Sequence, residues 1–191
     1  MFEGVGGAPQ AVPLLLYTDS FVIRGTLSTR QRRVTDMLNF AEERFLVLSD
    51  VTTDEFGSRG DQLRAEFAQV NLASVLFAVV NEEVPPAPEL RTPKVAEEAL
   101  ISVPPFKVTG FIHLMPERSL RSALSELTGQ FLPVTDAAYW SDVLSEARTT
   151  ATLLAVNHER AQILAPYRVS DPWVGLDTTS KAEPPPEASG W

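Results

Sequence analysis

FVIRGTLSTRQRRVTDMLNFAEERFLVLSD, residues 21–50, decides the reading of the chain. A worn form of it recurs as FKVTGFIHLMPERSLRSALSELTGQFLPVTD, residues 106–136. Phe21 falls on Phe106 and Gly25 on Gly110. Leu38 falls on Leu124, Phe45-Leu46 on Phe131-Leu132, and Ser49-Asp50 on Thr135-Asp136. The offset is 85 residues at the start and 86 at the end. Self-similarity at a fixed spacing points to one structural unit used twice.

Within the stretch, Phe21, Ile23 and Leu27 alternate with Val22, Arg24 and Thr26, a strand pattern. Thr18-Asp19-Ser20 separates it from the apolar run Leu14-Leu15-Leu16-Tyr17, so residues 14–27 read as a hairpin. A glycine inside a strand is unfavourable, and its recurrence as Gly110 predicts a bulge, a sharp bend or a close backbone approach. Val34, Met37 and Leu38 fall on one face of a short helix, with Thr35 or Asp36 as its cap and Asn39 at its left-handed end. Leu120, Ala123 and Leu124 repeat that spacing, with Gly129 as the stop. Residues 45–51, FLVLSDV, suit a buried strand. In the second copy Pro133 predicts an edge strand or an outward-facing position.

Outside the stretch, residues 1–10 read as a flexible arm. Residues 54–69 carry Gly57 and Gly60 and read as a long loop. Residues 70–82 form the most apolar segment and read as one core strand, echoed at 149–157, with Asn81 matching Asn157. Residues 95–100 read as a helical turn, and 161–164 as a final strand. The organisation expected is therefore module 1 at 11–83, a Pro-rich linker at 84–100, module 2 at 101–169 and a partly disordered Pro-rich tail at 170–191. The fold class is α+β and β-rich. It is a tandem duplication of a module of four to five antiparallel strands and one short helix, with the copies packed together.

The chain has 191 residues, 44% hydrophobic, enough for a packed core. Its net charge of −9 opposes general binding to a phosphate backbone or an anionic membrane. No cysteine is present, which removes disulfides, thiolate nucleophiles and thiolate metal sites. No apolar run reaches the length that spans a bilayer and no signal peptide is read, so the location expected is cytoplasmic.

His113 and His158 are the only histidines. His113 lies in a strand between apolar neighbours and His158 in a turn, and neither has a counterpart in the first copy. Asp50 and Asp136 recur after strands, where a carboxylate more often caps a turn. Asp54, Glu55 and Asp61 lack the spacing of a calcium loop. The glycines at 4–7 have no strand before them and no Lys-Ser/Thr after them, so they form no phosphate cradle. No catalytic, cofactor or metal residue is assigned, and no cofactor is expected. Arg30, Arg32 and Arg33 form the one basic cluster, with Arg118 and Arg121 near the same place in the second copy. Trp191 is an aromatic in an otherwise polar end and could dock on a partner. Arg30, Arg32, Arg33, Asp36, Asn39 and Trp191 are the candidate interaction surface.

Gly25, residues 33–39 (RVTDMLN) and residues 45–50 (FLVLSD) resemble an uncharacterised prokaryotic domain family with the signature R-L-S-D-L-L-N, then F-L-x-L-T-D. The second copy keeps FLPVTD at 131–136 but has LRSALS at 120–125 in place of the helix motif. The resemblance implies no activity. A looser likeness is to Sm-like small barrels, in which a strand with a central glycine precedes a strand ending in Leu-x-Asp. The function expected is a non-enzymatic interaction or scaffold module, in a protein assembly or a signalling complex. It would work through a protein partner or homo-oligomer rather than nucleic acid. The alternatives are an Sm-like nucleic-acid binder using Arg30, Arg32 and Arg33, and a ligand sensor or enzyme with a cleft between modules holding His113 or Asp136.

Overall fold

Leu14, Leu16 and Ile23 face one way and Leu15 and Tyr17 the other, and from this alternation a ten-stranded antiparallel sheet is built. The computed structural model describes residues 10–29, 33–40, 44–57, 62–80, 94–116, 121–122, 127 and 129–167. In chain order the elements are β1 (Gln10–Thr18), β2 (Phe21–Thr29), α1 (Val34–Leu38), β3 (Phe45–Glu55), β4 (Leu63–Asn71) and β5 (Val75–Val80). Then come β6 (Val95–Val103), β7 (Phe106–Leu114), β8 (Phe131–Ser141), β9 (Glu146–Asn157) and β10 (Ile163–Pro166). The strands lie in the order β10-β6-β7-β8-β9-β5-β1-β2-β3-β4. The first half runs β5-β1-β2-β3-β4 and the second β10-β6-β7-β8-β9. Among the described residues the sheet is open, and its two edge strands are β4 and β10. Among the described residues no helix is long and apolar enough to cross a membrane.

The recurring glycine sits where each half bends. In β2–β3 the register shifts between Arg24 and Thr26, and one extra residue of β3 faces Gly25. In β7–β8 it shifts between Thr109 and Phe111, opposite Gly110. The extra residue brings a left-handed aspartate in both cases, Asp50 at φ 51° and Asp136 at φ 46°. These aspartates are therefore bulge residues in mid-strand, not turn caps. Aspartate tolerates that conformation better than most side chains. The bent partner strand crosses so closely that a Cβ on Gly25 would meet Leu48 Cβ at 3.0 Å. On Gly110 it would meet Val134 Cγ1 at 2.6 Å and the Thr135 carbonyl at 2.9 Å.

Two cores result, and the central strands serve both. Leu76, Phe77 and Val79 of β5 point into the core of the second half. Val75, Ala78 and Val80 point into the core of the first. On β9, Leu154 and Val156 go one way, Leu153 and Ala155 the other. All six residues of β5 are buried, which is why this segment is the most apolar in the chain.

Several expectations change. Residues 70–82 are not one strand. Asn71 ends β4, a 3₁₀ turn at Leu72–Ser74 follows, and β5 starts at Val75. Asn81 lies outside the described residues. The residue that acts as Asn157 does is Asn71: each side-chain carbonyl accepts from the backbone N–H two residues on, Ala73 or Glu159. The expected loop at 54–69 is mostly strand, β3 to Glu55 and β4 from Leu63. Residues 95–100 are the start of β6, not a helical turn, so the sheet begins inside the stretch read as linker. β8 is an interior strand despite Pro133. The β7–β8 ladder stops at Thr135, so the missing proline N–H faces no partner there. The helix α1 stands where expected, with Val34 and Leu38 buried. However, Arg33 is its N-cap without a side-chain bond, and Asn39 has φ −94°, not a left-handed value. The second helix motif, Leu120, Ala123 and Leu124, lies outside the described residues.

Gly110→Ala should destabilise the chain by about 3 kcal/mol, because the new methyl meets backbone that cannot yield. Gly25→Ala meets only side-chain atoms and should cost about 1 kcal/mol. Urea midpoints of the two variants check the order, and equal losses would contradict it.

Candidate functional site

The halves are joined by β5 and β9, which pair as Phe77↔Val156, Ala78↔Ala155, Val79↔Leu154 and Val80↔Leu153. Side chains lock the ladder from both sides. Asn157, fully buried, donates from Nδ2 to the Val75 carbonyl at 2.9 Å. Asn39 holds the backbone of Phe131: its Nδ2 donates to the carbonyl at 2.8 Å and its Oδ1 accepts from the N–H at 2.6 Å. Arg160 forms a two-pronged contact with Asp19 at 2.6 and 2.8 Å. Tyr17 and Tyr139 meet hydroxyl to hydroxyl at 3.2 Å within a cluster that includes Phe77 and Phe106. Burial pushes the Tyr17 phenol well above the usual tyrosine range, and the Tyr139 hydroxyl adds to it. The apolar seal is made by Phe131, Leu153 and Ala155, which enter the core of the first half.

The same place in the first half is open. Phe45 and Phe67 stand 86 residues before Phe131 and Leu153. Phe131 is 2% exposed and Leu153 4%, whereas Phe45 is 44% exposed and Phe67 69%. Val47 and Leu63 are exposed beside them. Among the described residues β4 pairs with β3 alone, and one side of its backbone has no strand neighbour there. Leu72 N–H donates to the Arg44 carbonyl at 3.0 Å, which sets the alternation of the ladder. The backbone groups of Leu63, Ala65, Phe67, Gln69 and Asn71 consequently point to the free side.

Of the candidate interaction residues, Arg30, Arg32 and Trp191 lie outside the described residues. Arg33 is half-buried at the start of α1, its carbonyl accepting from Met37 N–H. Asp36 is exposed in the same turn. Of the described candidates, Asn39 belongs to the junction, where it holds the backbone of Phe131. His113 hydrogen-bonds Thr135 Oγ1 at 2.7 Å, and His158 Nε2 lies 2.6 Å from the Gly129 carbonyl. A groove between the halves exists, lined by Asn39, Phe40 and Arg44 on one side and Gly129, His158 and Glu159 on the other. It contains neither His113 nor Asp136. Asp136 instead lines a separate hollow of the second half with Glu98, Thr109 and Arg148. Among the described residues, no three His, Asp or Glu gather in a way that could hold a metal ion.

β4 is hidden in the sequence because Gly57, Gly60 and the charged residues around it read as a loop. The signal that could have found it is the alternation of Leu63, Ala65 and Phe67 with Arg64 and Glu66.

The raised Tyr17 group has a definite consequence for pH. Its contribution is complete below the unfolded pKa of about 10 and is lost as pH rises toward the folded value. Stability should fall above about pH 10, by at most about 1.4 kcal/mol per pH unit from this group. Tyr17→Phe should flatten that fall, read from urea midpoints at successive alkaline pH values. The chain matches no family model, no curated protein and no solved structure.

Proposed function

We propose that the chain is a non-enzymatic interaction module that acts within a protein assembly, built from two diverged copies of one five-strand unit. The duplication is supported by agreement beyond strand order. Leu72 N–H to the Arg44 carbonyl and His158 N–H to the Gln130 carbonyl are the same bond, 86 residues apart. So are the Asn71 and Asn157 caps and the left-handed Asp50 and Asp136.

One observation carries the functional reading. Phe45 and Phe67 occupy the positions of two side chains that seal the junction, yet lie open at a sheet edge that has no strand neighbour among the described residues. A free edge with exposed aromatics is a liability that soluble chains ordinarily blunt with charge, proline or a cover. Retaining it fits a surface that is used.

The test is a photo-crosslinking residue at position 67, in the full chain within its host cells. It should give a defined adduct whose second peptide is intermolecular. The exposed Val143, in the turn between β8 and β9, serves as control and should give none. Equal, diffuse labelling at both positions would reject the proposed surface.

A further inference from the structure

We infer that the β4 edge takes the β10 edge of a second copy of this chain, head to tail, in the register that β9 and β5 use within one chain. This rests on the assembly reading above and names its partner.

The geometry transfers residue by residue. β9 is the counterpart of β4, and β10 that of β5. Moving Phe77↔Val156 through Val80↔Leu153 by 86 residues gives Ile163↔Val70, Leu164↔Gln69, Ala165↔Ala68 and Pro166↔Phe67 between copies. The backbone groups are set for it. Tyr167 N–H donates to the Glu98 carbonyl at 2.9 Å, so Ala165 and Ile163 also face β6. Leu164 and Pro166 therefore face the free side, opposite the outward groups of Gln69 and Phe67. Leu164 and Gln69 would exchange two N–H···O bonds, and Phe67 N–H would reach the Pro166 carbonyl.

Asn71 supplies an independent sign. Its carbonyl is used as that of Asn157 is, but the Nδ2 that in Asn157 crosses to Val75 has no partner among the described residues. In the transferred register it meets the Ala161 carbonyl, since Ala161 stands 86 residues after Val75. The apolar groups also fit. Phe45 and Phe67 would enter the open end of the second core, where Ala161, Leu164 and Leu127 are only partly covered.

Three differences make the contact between copies weaker than the one within a chain. Ser74 and Pro104 stand where Arg160 and Asp19 form their ion pair. Ser102 and Thr53 stand where Tyr17 and Tyr139 meet. Pro166 stands where Val80 has an N–H, which removes one donor from the ladder. The contact is thus reversible. Being heterologous, it runs past two copies, as a ring or an open series.

Sedimentation of the purified full chain over a wide concentration range tests this. Wild type should associate reversibly beyond the dimer. Pro166→Val, which restores the donor, should tighten association about three- to tenfold. Gln69→Pro should leave a monomer with an unchanged far-UV spectrum, because the N–H it removes faces away from β3. Phe67→Asn should do the same without touching the backbone. A wild type and Pro166→Val that are both monomeric throughout would overturn the inference. So would a complex that stops at two copies and ignores Pro166→Val, the mark of β4 pairing with β4. Either result, alongside a specific adduct from position 67 to another protein, would leave the interaction module standing with a different partner.

Discussion

The backbone ladder between β5 and β9 is the interaction on which everything else depends. It turns two five-strand sheets into one ten-strand sheet and decides which edges are left over. A small unit of this size covers little surface alone. The ladder repairs that by letting each central strand place one face in each core. The groups that secure it, Asn39, Asn157, Arg160 and Tyr17, sit at its ends and flanks, where water would otherwise compete for the backbone.

The second constraint is the bend. A flat five-strand sheet cannot enclose a core, and the bulge opposite Gly25 or Gly110 is what curls it. A glycine on one strand and a left-handed aspartate on the other are two halves of a single device. That is why Gly25 and Asp50, so far apart in sequence, recur together as Gly110 and Asp136.

Much of this was legible before the structure. The first hairpin, α1 and the bulge glycines follow from alternation, helical spacing and an out-of-place glycine. What stayed hidden follows from the same physics. The glycines and charges before β4, and Glu97-Glu98 in β6, mask strands that are exposed over most or the first part of their length. Residues 75–80 are uniformly apolar because a strand buried on both faces shows no alternation, and that run overshadows the turn at Leu72–Ser74 that Asn71 and Ser74 mark. Asn39 carries the local signal of a helix stop, while its partner, the backbone of Phe131, is 92 residues away. The open surface at Phe45 and Phe67 becomes visible only once strand order says which strand lacks a neighbour. Before that, Phe45 looked like part of a buried strand.

The sharing of β5 and β9 between two cores has a further consequence, for cooperativity. Neither half can lose its packing without uncovering a face that walls the other. The described residues should therefore melt in a single transition, although the strand order divides cleanly in two. A change deep in the second core, at Leu154 for instance, weakens a strand whose opposite face carries Leu153 and Ala155 into the first.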